Sequence, residues 1–358
     1  MPEENFEDYL KERAKVVNAA LAEAVKKRSS GRYIETLLGR GGYRYDNDAL
    51  TKSIFEPAWH LLGLGGKRWR PVLMLLVIEA LGKKAGDYLE FTLIPEVVHN
   101  ATLLHDDIED NSLTRRGQPA VHVKYGIDVA VNLGDFLYYF PVMALVDSKK
   151  VSEGVKNKAL SVYIRECLRV AVGQGTDIAW HRFFVDPFKV SEQNYLQMVF
   201  NKTGVLSSMA AQLGGVFAEA DDATVEALGK FGATIGVAFQ LQDDVLNIYE
   251  SAVSASKGGV GDDITEGKIT LLVIHTLHQA NKKDRDRLVK ILKMHTREKR
   301  LIREAIGIID KYGAKDYAKK LQEKLVTKAW NGISRKLNPS PAKDKLKAMA
   351  DFLVTRAK

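Results

Sequence analysis

His99-Asn100-Ala101-Thr102-Leu103-Leu104-His105-Asp106-Asp107-Ile108-Glu109-Asp110 reads as an apolar helix that ends in acid. His99, Leu103, Asp106 and Asp110 follow at steps of four, three and four, so they share one helical face, with Asp106 and Asp110 stacked a turn apart. Like charges at that spacing repel, and the repulsion grows where water is scarce; a divalent cation between them reverses its sign. More than a hundred residues later the pattern returns in Phe239-Gln240-Leu241-Gln242-Asp243-Asp244-Val245-Leu246-Asn247. Here Gln240, Asp243, Asp244 and Asn247 form a narrow acid and amide stripe on an otherwise apolar rod. A surface helix carries a broad face of both charge signs, so this stripe suits the wall of an internal, water-filled cavity.

Working outward, period-3.6 patterning from about Asn5 to the C-terminus, nine prolines and few alternating runs predict an all-α protein with no sheet of consequence. Loop signals fall at Gly39–Gly42, Gly63–Gly66, Leu113–Pro119, Asp186-Pro187, Ala220–Asp222, Ser256–Gly261 and Asn338–Pro341. Composition never shifts and no repeat appears, which predicts a single domain over residues 1–358 with its motif-bearing core at about 60–275. The chain is 46% hydrophobic and 27% charged, as soluble globular proteins are. The acidic start lacks an apolar leader, and the longest uncharged runs, Thr203 to Ala218 and Phe231 to Gln242, are too short or too polar for a membrane span. A cytoplasmic protein without a transmembrane segment is expected. Cys167, the one cysteine, excludes a disulfide framework and any multi-thiolate metal site. The net charge of +8 suits a polyanionic partner, but the basic runs lack aromatic interleaving, so no nucleic acid is expected.

Oxygen donors on rigid helices select a hard ion, and Mg²⁺ in particular binds through a few carboxylates plus substrate phosphate oxygens. One acidic cluster alone is as well explained by a solvated turn; two in matched helical settings are not. His105 adjoins the first cluster but points off the Asp106/Asp110 face. Cations are placed to match: Gly65-Gly66-Lys67-Arg68-Trp69-Arg70-Pro71 is a glycine turn entering a helix, Arg115-Arg116 follows the first cluster by a short loop, and Lys202, Lys257 and Lys268 lie near the second in sequence or flank it. Singly each is an ordinary surface charge; together they imply a phosphate ester as substrate.

These blocks resemble the trans-isoprenyl diphosphate synthases, the polyprenyl synthetase family, and most closely its geranylgeranyl members. The resemblance runs from GGKRWRP (65–71) through HNATLLHDDIEDNSLTRRGQPAVHVKYG (99–126), GQGTDIAW (173–180), NKTGVL (201–206) and FQLQDDVLN (239–247) to KGGVGDDITEGK (257–268). It implies antiparallel helices around a deep cavity, a homodimer, and head-to-tail transfer of a prenyl group from an allylic diphosphate to isopentenyl diphosphate. By the same resemblance Asp106, Asp110 and Asp243 hold several Mg²⁺ ions per active site, with Asp107 and Asp244 in support. Arg115, Lys202 and Lys268 contact the allylic diphosphate, Lys67, Arg70, His99 and Arg116 hold isopentenyl diphosphate, Lys257 completes the phosphate site, and Thr203 and Gln240 line the reacting carbons.

The chain departs from the family pattern at Asn247, where an aspartate is usual, at Leu272, often a proline, and at Ala171 and Val172, which are less polar than in geranylgeranyl enzymes. Weaker metal binding, not inactivity, is expected from Asn247. Product length in the family is limited by bulk beneath the first aspartates. Ala101 and Thr102 are small there, while Tyr138 and Tyr139 on the next helix are candidates to close the pocket lower down. The expectation is a twenty-carbon product, with longer polyprenyl or farnesyl diphosphate as alternatives. A non-catalytic regulatory subunit, the alternative of another class, would have shed an aspartate cluster or a cation.

Overall fold

The computed structural model describes residues 3–249 and 261–355. Among the described residues the chain is helical apart from one two-residue ladder, Thr114–Arg115 paired antiparallel with Gln118–Pro119. Cα packing divides it into two compact units: Met1–Leu160 with Gly214–Glu219, and Ser161–Leu213 with Ala220–Lys358.

In the first unit, the Glu3–Ala24 helix buries Phe6, Leu10, Ala14, Val17 and Leu21, a single stripe at steps of three and four. The Trp69–Ala80 helix is buried at every position but Glu79, as a helix apolar all round must be. It stops at Gly82, whose φ of 84° lets the Lys83 N–H return to the Ile78 carbonyl in a Schellman closure. The Leu93–Glu109 helix ends the same way, with Asn111 at φ 52° and the Ser112 N–H on the Asp107 carbonyl. That closure holds Asp106, Asp107 and Asp110 in the helix's last turn.

The Ile127–Val146 helix of this unit is, by length and composition, apolar enough to cross a membrane, and 39% of its window is buried within the chain. Asp128 and Asp135 interrupt it, so it contains no long uncharged run. It packs along Leu93–Glu109, where Gly134 makes room: a Cβ there would stand 2.5 Å from His105 Nε2.

In the second unit the Asp222–Tyr249 helix is the buried axis, with Ala314–Ile333 packed along it. Gly232 and Gly236 cost this helix about 1 kcal/mol each relative to alanine. Their return is close approach: a Cβ on Gly232 would meet the Ser207 carbonyl at 2.4 Å, and one on Gly236 would meet the Gly204 Cα at 2.9 Å.

Candidate active site

Each Asp-Asp pair divides its labour the same way. In the first unit Asp106 and Asp110 are partly accessible, whereas Asp107 is 3% exposed and held by Arg115, whose Nε donates to Asp107 Oδ1 at 2.9 Å and whose Nη2 donates to the same oxygen. Burial raises the Asp107 pKa, and the adjacent guanidinium opposes that rise. Arg115 also lies 3.8 Å from Asp106 Oδ2. In the second unit Asp243 is partly accessible, whereas Asp244 is buried and accepts from Tyr195 Oη at 2.5 Å and from Gln240 Nε2 at 2.9 Å. Burial pushes the Asp244 pKa up to about 6 against those two donors. The first aspartate of each pair faces outward, and the second braces the site from within.

The first pair sits at a helix C-terminus, where the backbone dipole is already negative, so carboxylates there require a cation. Arg115 reaches them through the only ladder among the described residues, whose turn takes Arg116 to φ 52° and Gly117 to φ 75°. Arg116 donates from Nη1 to the Gly65 carbonyl and lies against Gly66, whose added Cβ would stand 3.1 Å from Arg116 Nη2. This joins the arginine pair to the Gly65–Arg70 turn. His99 completes the group: burial, then Arg70, Arg116, Arg115 and Arg68, lower its pKa well below the ordinary value. It is therefore a neutral ring among cations.

Arg68, counted by sequence among the cations of this turn, is instead an internal strut. It is 4% exposed, adopts φ 50°, and donates to Asn18 Oδ1 at 3.0 Å, to the Leu62 carbonyl at 2.7 Å and to Glu96 Oε1 at 2.5 Å. Left-handed backbone costs about 1–2 kcal/mol for a residue with a Cβ. The buried pair with Glu96, itself bonded by Asn100 Nδ2 at 2.9 Å, holds the turn in that conformation.

In the second unit Phe200–Gly204 is a π turn, a local widening that recurs at functional sites. It fits between Gly173 on one helix and Gly236 on another, and it carries Lys202 and Thr203. Lys202 Nζ bonds Asp177 Oδ2 at 2.6 Å; burial alone would raise the Asp177 pKa, but Lys202 and Lys268 outweigh it and hold it low. Thr203 Oγ1 donates to Gln240 Oε1 at 3.1 Å. Lys268 pairs with Glu266 at 2.6 Å. Asn247 commits its side-chain oxygen to the Asp263 N–H at 3.1 Å, a structural use that an aspartate would serve equally. Lys257 lies outside the described residues.

Of the residues expected to set product length, Ala101 is fully buried and Thr102 turns its hydroxyl back to the His99 carbonyl at 2.7 Å. Tyr138 stacks on His105 with ring centroids 5.8 Å apart. Tyr139 needs correction: it is 75% exposed and closes nothing within this chain, whereas its neighbour Phe140 is buried. Sequence reasoning also missed Glu96, Asp177 as a partner of Lys202, and Tyr195. Glu96 left a trace, a lone acid in the apolar run Leu93–Val98.

In each unit the accessible carboxylates are donors that suit a hard divalent cation. Asp106, Asp110 and Asp243 offer only oxygen, and among the described residues no three His, Cys, Asp or Glu side chains gather into a closed metal site. Mg²⁺ is commonly held in that manner, by one or two carboxylates with the remaining positions taken by water and substrate phosphate.

Comparison with known proteins identifies the family. The polyprenyl synthetase family model matches residues 51–309. The short chain isoprenyl diphosphate synthase of Methanothermobacter thermautotrophicus is 36% identical over 313 residues, 87% of this chain and 92% of that protein. The crystal structure of geranylgeranyl pyrophosphate synthetase from Pyrococcus horikoshii Ot3 superposes with a TM-score of 0.84 at 30% identity, covering 99% of this chain and 100% of that one. A polyprenyl synthase from Caulobacter crescentus CB15, solved with calcium and isoprenyl diphosphate, gives a TM-score of 0.80 at 27% identity, covering 99% and 98%. Paired aspartates, cationic turns and all-α fold thus coincide with a family match over most of the length, and the chain belongs to the polyprenyl synthetase family of prenyltransferases.

Proposed function

We propose that this protein is a geranylgeranyl diphosphate synthase, which joins isopentenyl diphosphate to an allylic diphosphate head to tail. The observation that carries the reading is the matched division of the two Asp-Asp pairs, one accessible carboxylate and one braced carboxylate in each, with Arg115 on Asp107 in the first pair and the charge of Lys268 felt by Asp244 in the second. Asp106 and Asp110, with Asp243, would hold divalent cations, and the Caulobacter relative's calcium and isoprenyl diphosphate support that assignment. Bound Mg²⁺ supplies charge neutralisation for the departing diphosphate.

The chain's own residues supply the rest. Lys202, oriented by Asp177, and Lys268 add positive charge where the allylic diphosphate would leave. Arg115 is placed to share itself between Asp107 and that diphosphate. Lys67, Arg70 and Arg116 would bind the second diphosphate, with neutral His99 donating a hydrogen bond and not a charge. Thr203 and Gln240 present oxygen dipoles to the developing carbocation. The isopentenyl double bond then attacks, and a proton leaves, most simply to the released diphosphate.

A twenty-carbon limit is supported by the small, buried Ala101 five residues before Asp106 and by the His105–Tyr138 stack on the adjoining helix. The Pyrococcus relative, a geranylgeranyl pyrophosphate synthetase, supports the same size. We further propose that the two units work as one catalytic domain in a cytoplasmic homodimer. Ile164, Leu168 and Val172, each more than half exposed at four-residue spacing, support a self-association seam on the Glu153–His181 helix. The apolar Ile127–Val146 helix is assigned to packing within that assembly and not to a membrane.

The test is incubation of the purified protein with Mg²⁺, labelled isopentenyl diphosphate and each allylic primer in turn, with dephosphorylated products resolved by length. A single twenty-carbon product is expected. A ladder to thirty carbons or more would keep the chemistry and reject the proposed limit; no product with any primer would favour a non-catalytic subunit.

A further inference from the structure

We propose that Tyr195 is a positioning residue for the reacting face: through Asp244 it dictates which end of the Gln240 amide meets the substrate. This rests on the prenyl transfer proposed above. Tyr195 is 1% exposed on the Glu192–Val199 helix, whose start is fixed by a capping box between Ser191 and Asn194. Its hydroxyl donates to Asp244 Oδ2 at 2.5 Å; Gln240 Nε2 donates to Asp244 Oδ1 at 2.9 Å; Thr203 Oγ1 donates to Gln240 Oε1 at 3.1 Å.

The direction of this chain follows from what each group can do. Asp244 Oδ1 accepts from Gln240 Nε2, so the Gln240 amide has its NH₂ turned to Asp244 and its carbonyl oxygen turned away. That oxygen takes the one Thr203 proton, which leaves lone pairs, and no N–H, on both Gln240 Oε1 and Thr203 Oγ1. Lone pairs stabilise an adjacent carbocation, and a flipped amide would present the opposite end of its dipole. Tyr195 anchors the chain at its far end. Without its donor, Asp244 loses one of the two hydrogen bonds described for it, and the rotamer that selects the amide's orientation is less firmly held.

The test is a double-mutant cycle on the full-length protein. Tyr195→Phe, Gln240→Ala and the double variant are each measured for kcat, for KM with isopentenyl and allylic diphosphates, for the fraction of allylic substrate lost to hydrolysis, and for Tm. Removing a group that orients a working side chain costs on the order of 10- to 100-fold. Tyr195→Phe is expected to lower kcat about tenfold with both KM values within about twofold, and to raise the hydrolysed fraction. The double variant is expected to fall no further than Gln240→Ala alone, because both lesions act through one amide. If Tyr195→Phe does not fold, Asp244→Asn carries the same test, since an amide at that position donates as well as accepts and no longer dictates the orientation. Losses that multiply in the double variant, a rise in KM at constant kcat, or wild-type behaviour of the single variant would each overturn the assignment. A wild-type protein silent with every primer would remove the synthase reading, and this inference with it; an active wild type with a normal Tyr195→Phe would remove this inference alone.

Discussion

Gly173 is the position where one methyl group should cost most. A Cβ built there would stand 2.3 Å from the Lys202 N, 2.6 Å from the Asn201 C and 2.8 Å from the Lys202 Cα, all backbone atoms of the π turn. Ordinary carbon contacts need about 3.5 Å or more, so helix and turn must part by roughly 1 Å, and no side-chain rotation can absorb it. Overpacking of this kind costs about 1–3 kcal/mol, from which up to about 1 kcal/mol is recovered because alanine is the better helix former. The net expectation for Gly173→Ala is a loss of about 1–2 kcal/mol in stability. The larger effect falls on turnover, because the atoms that must move carry Lys202 and Thr203, and a misplacement of about 1 Å at a reacting centre costs about 10²-fold. Urea unfolding with the slope held in view and steady-state kinetics on the same preparation read both quantities. Gly307→Ala is the control: it is helical and has nothing within 4 Å of an added Cβ, so it should gain up to about 1 kcal/mol and keep full activity. If Gly173→Ala behaves like the control, the close packing of the π turn is not what sets Lys202.

The remaining expectations concern charge. Asp106→Ala and Asp243→Ala should abolish turnover with Tm unchanged, whereas Asp107→Ala should lower Tm as well, because it strips the buried partner from Arg115; near-normal turnover in the first two would sink the proposed cation sites. Arg68→Met leaves Glu96 buried without its cation and should cost about 3–5 kcal/mol in urea unfolding; the double change with Glu96→Gln should recover much of that, and failure to recover would mean that the strut acts by shape and not by charge. Glu166 is held up in pKa by burial, against donors from Gln212 and Arg169. Its folded form holds the proton to higher pH than its unfolded form, so its contribution is complete below the unfolded carboxyl range and declines as pH rises through the folded value. Glu166→Gln should therefore raise Tm at pH 8 more than at pH 4; an equal shift at both would refute the linkage.

How much of this was legible in the sequence depended on whether a residue broke its local pattern. The aspartate clusters did, since carboxylates on apolar helices violate amphipathic logic; the structure leaves Asp106, Asp110 and Asp243 partly accessible and buries Asp107 and Asp244. Glu96 broke the pattern equally, and the same reasoning applied to a lone acid would have sought its cation and found Arg68, 28 residues away in the buried pair. Tyr195 broke nothing. A tyrosine at helical spacing is ordinary core, and its hydroxyl's destination, Asp244, lies 49 residues away, where no periodicity reaches. Tyr139 failed for a further reason. On Ile127–Val146 apolar residues surround the helix, so the pattern carries no face, and only packing against Leu93–Glu109 separates buried Leu137 and Phe140 from exposed Tyr139. The division into two units was largely silent for a related cause: the crossings at Leu160–Ser161 and Leu213–Gly214 fall inside continuous helices, where no loop marks the change, and only the third, at Glu219–Ala220, meets a loop signal of the sequence. Periodicity reports that a face is buried; it does not report against what. Thus the carboxylates proposed for the ions could be read from the pattern along a helix, whereas the groups that orient them had to come from contacts between helices.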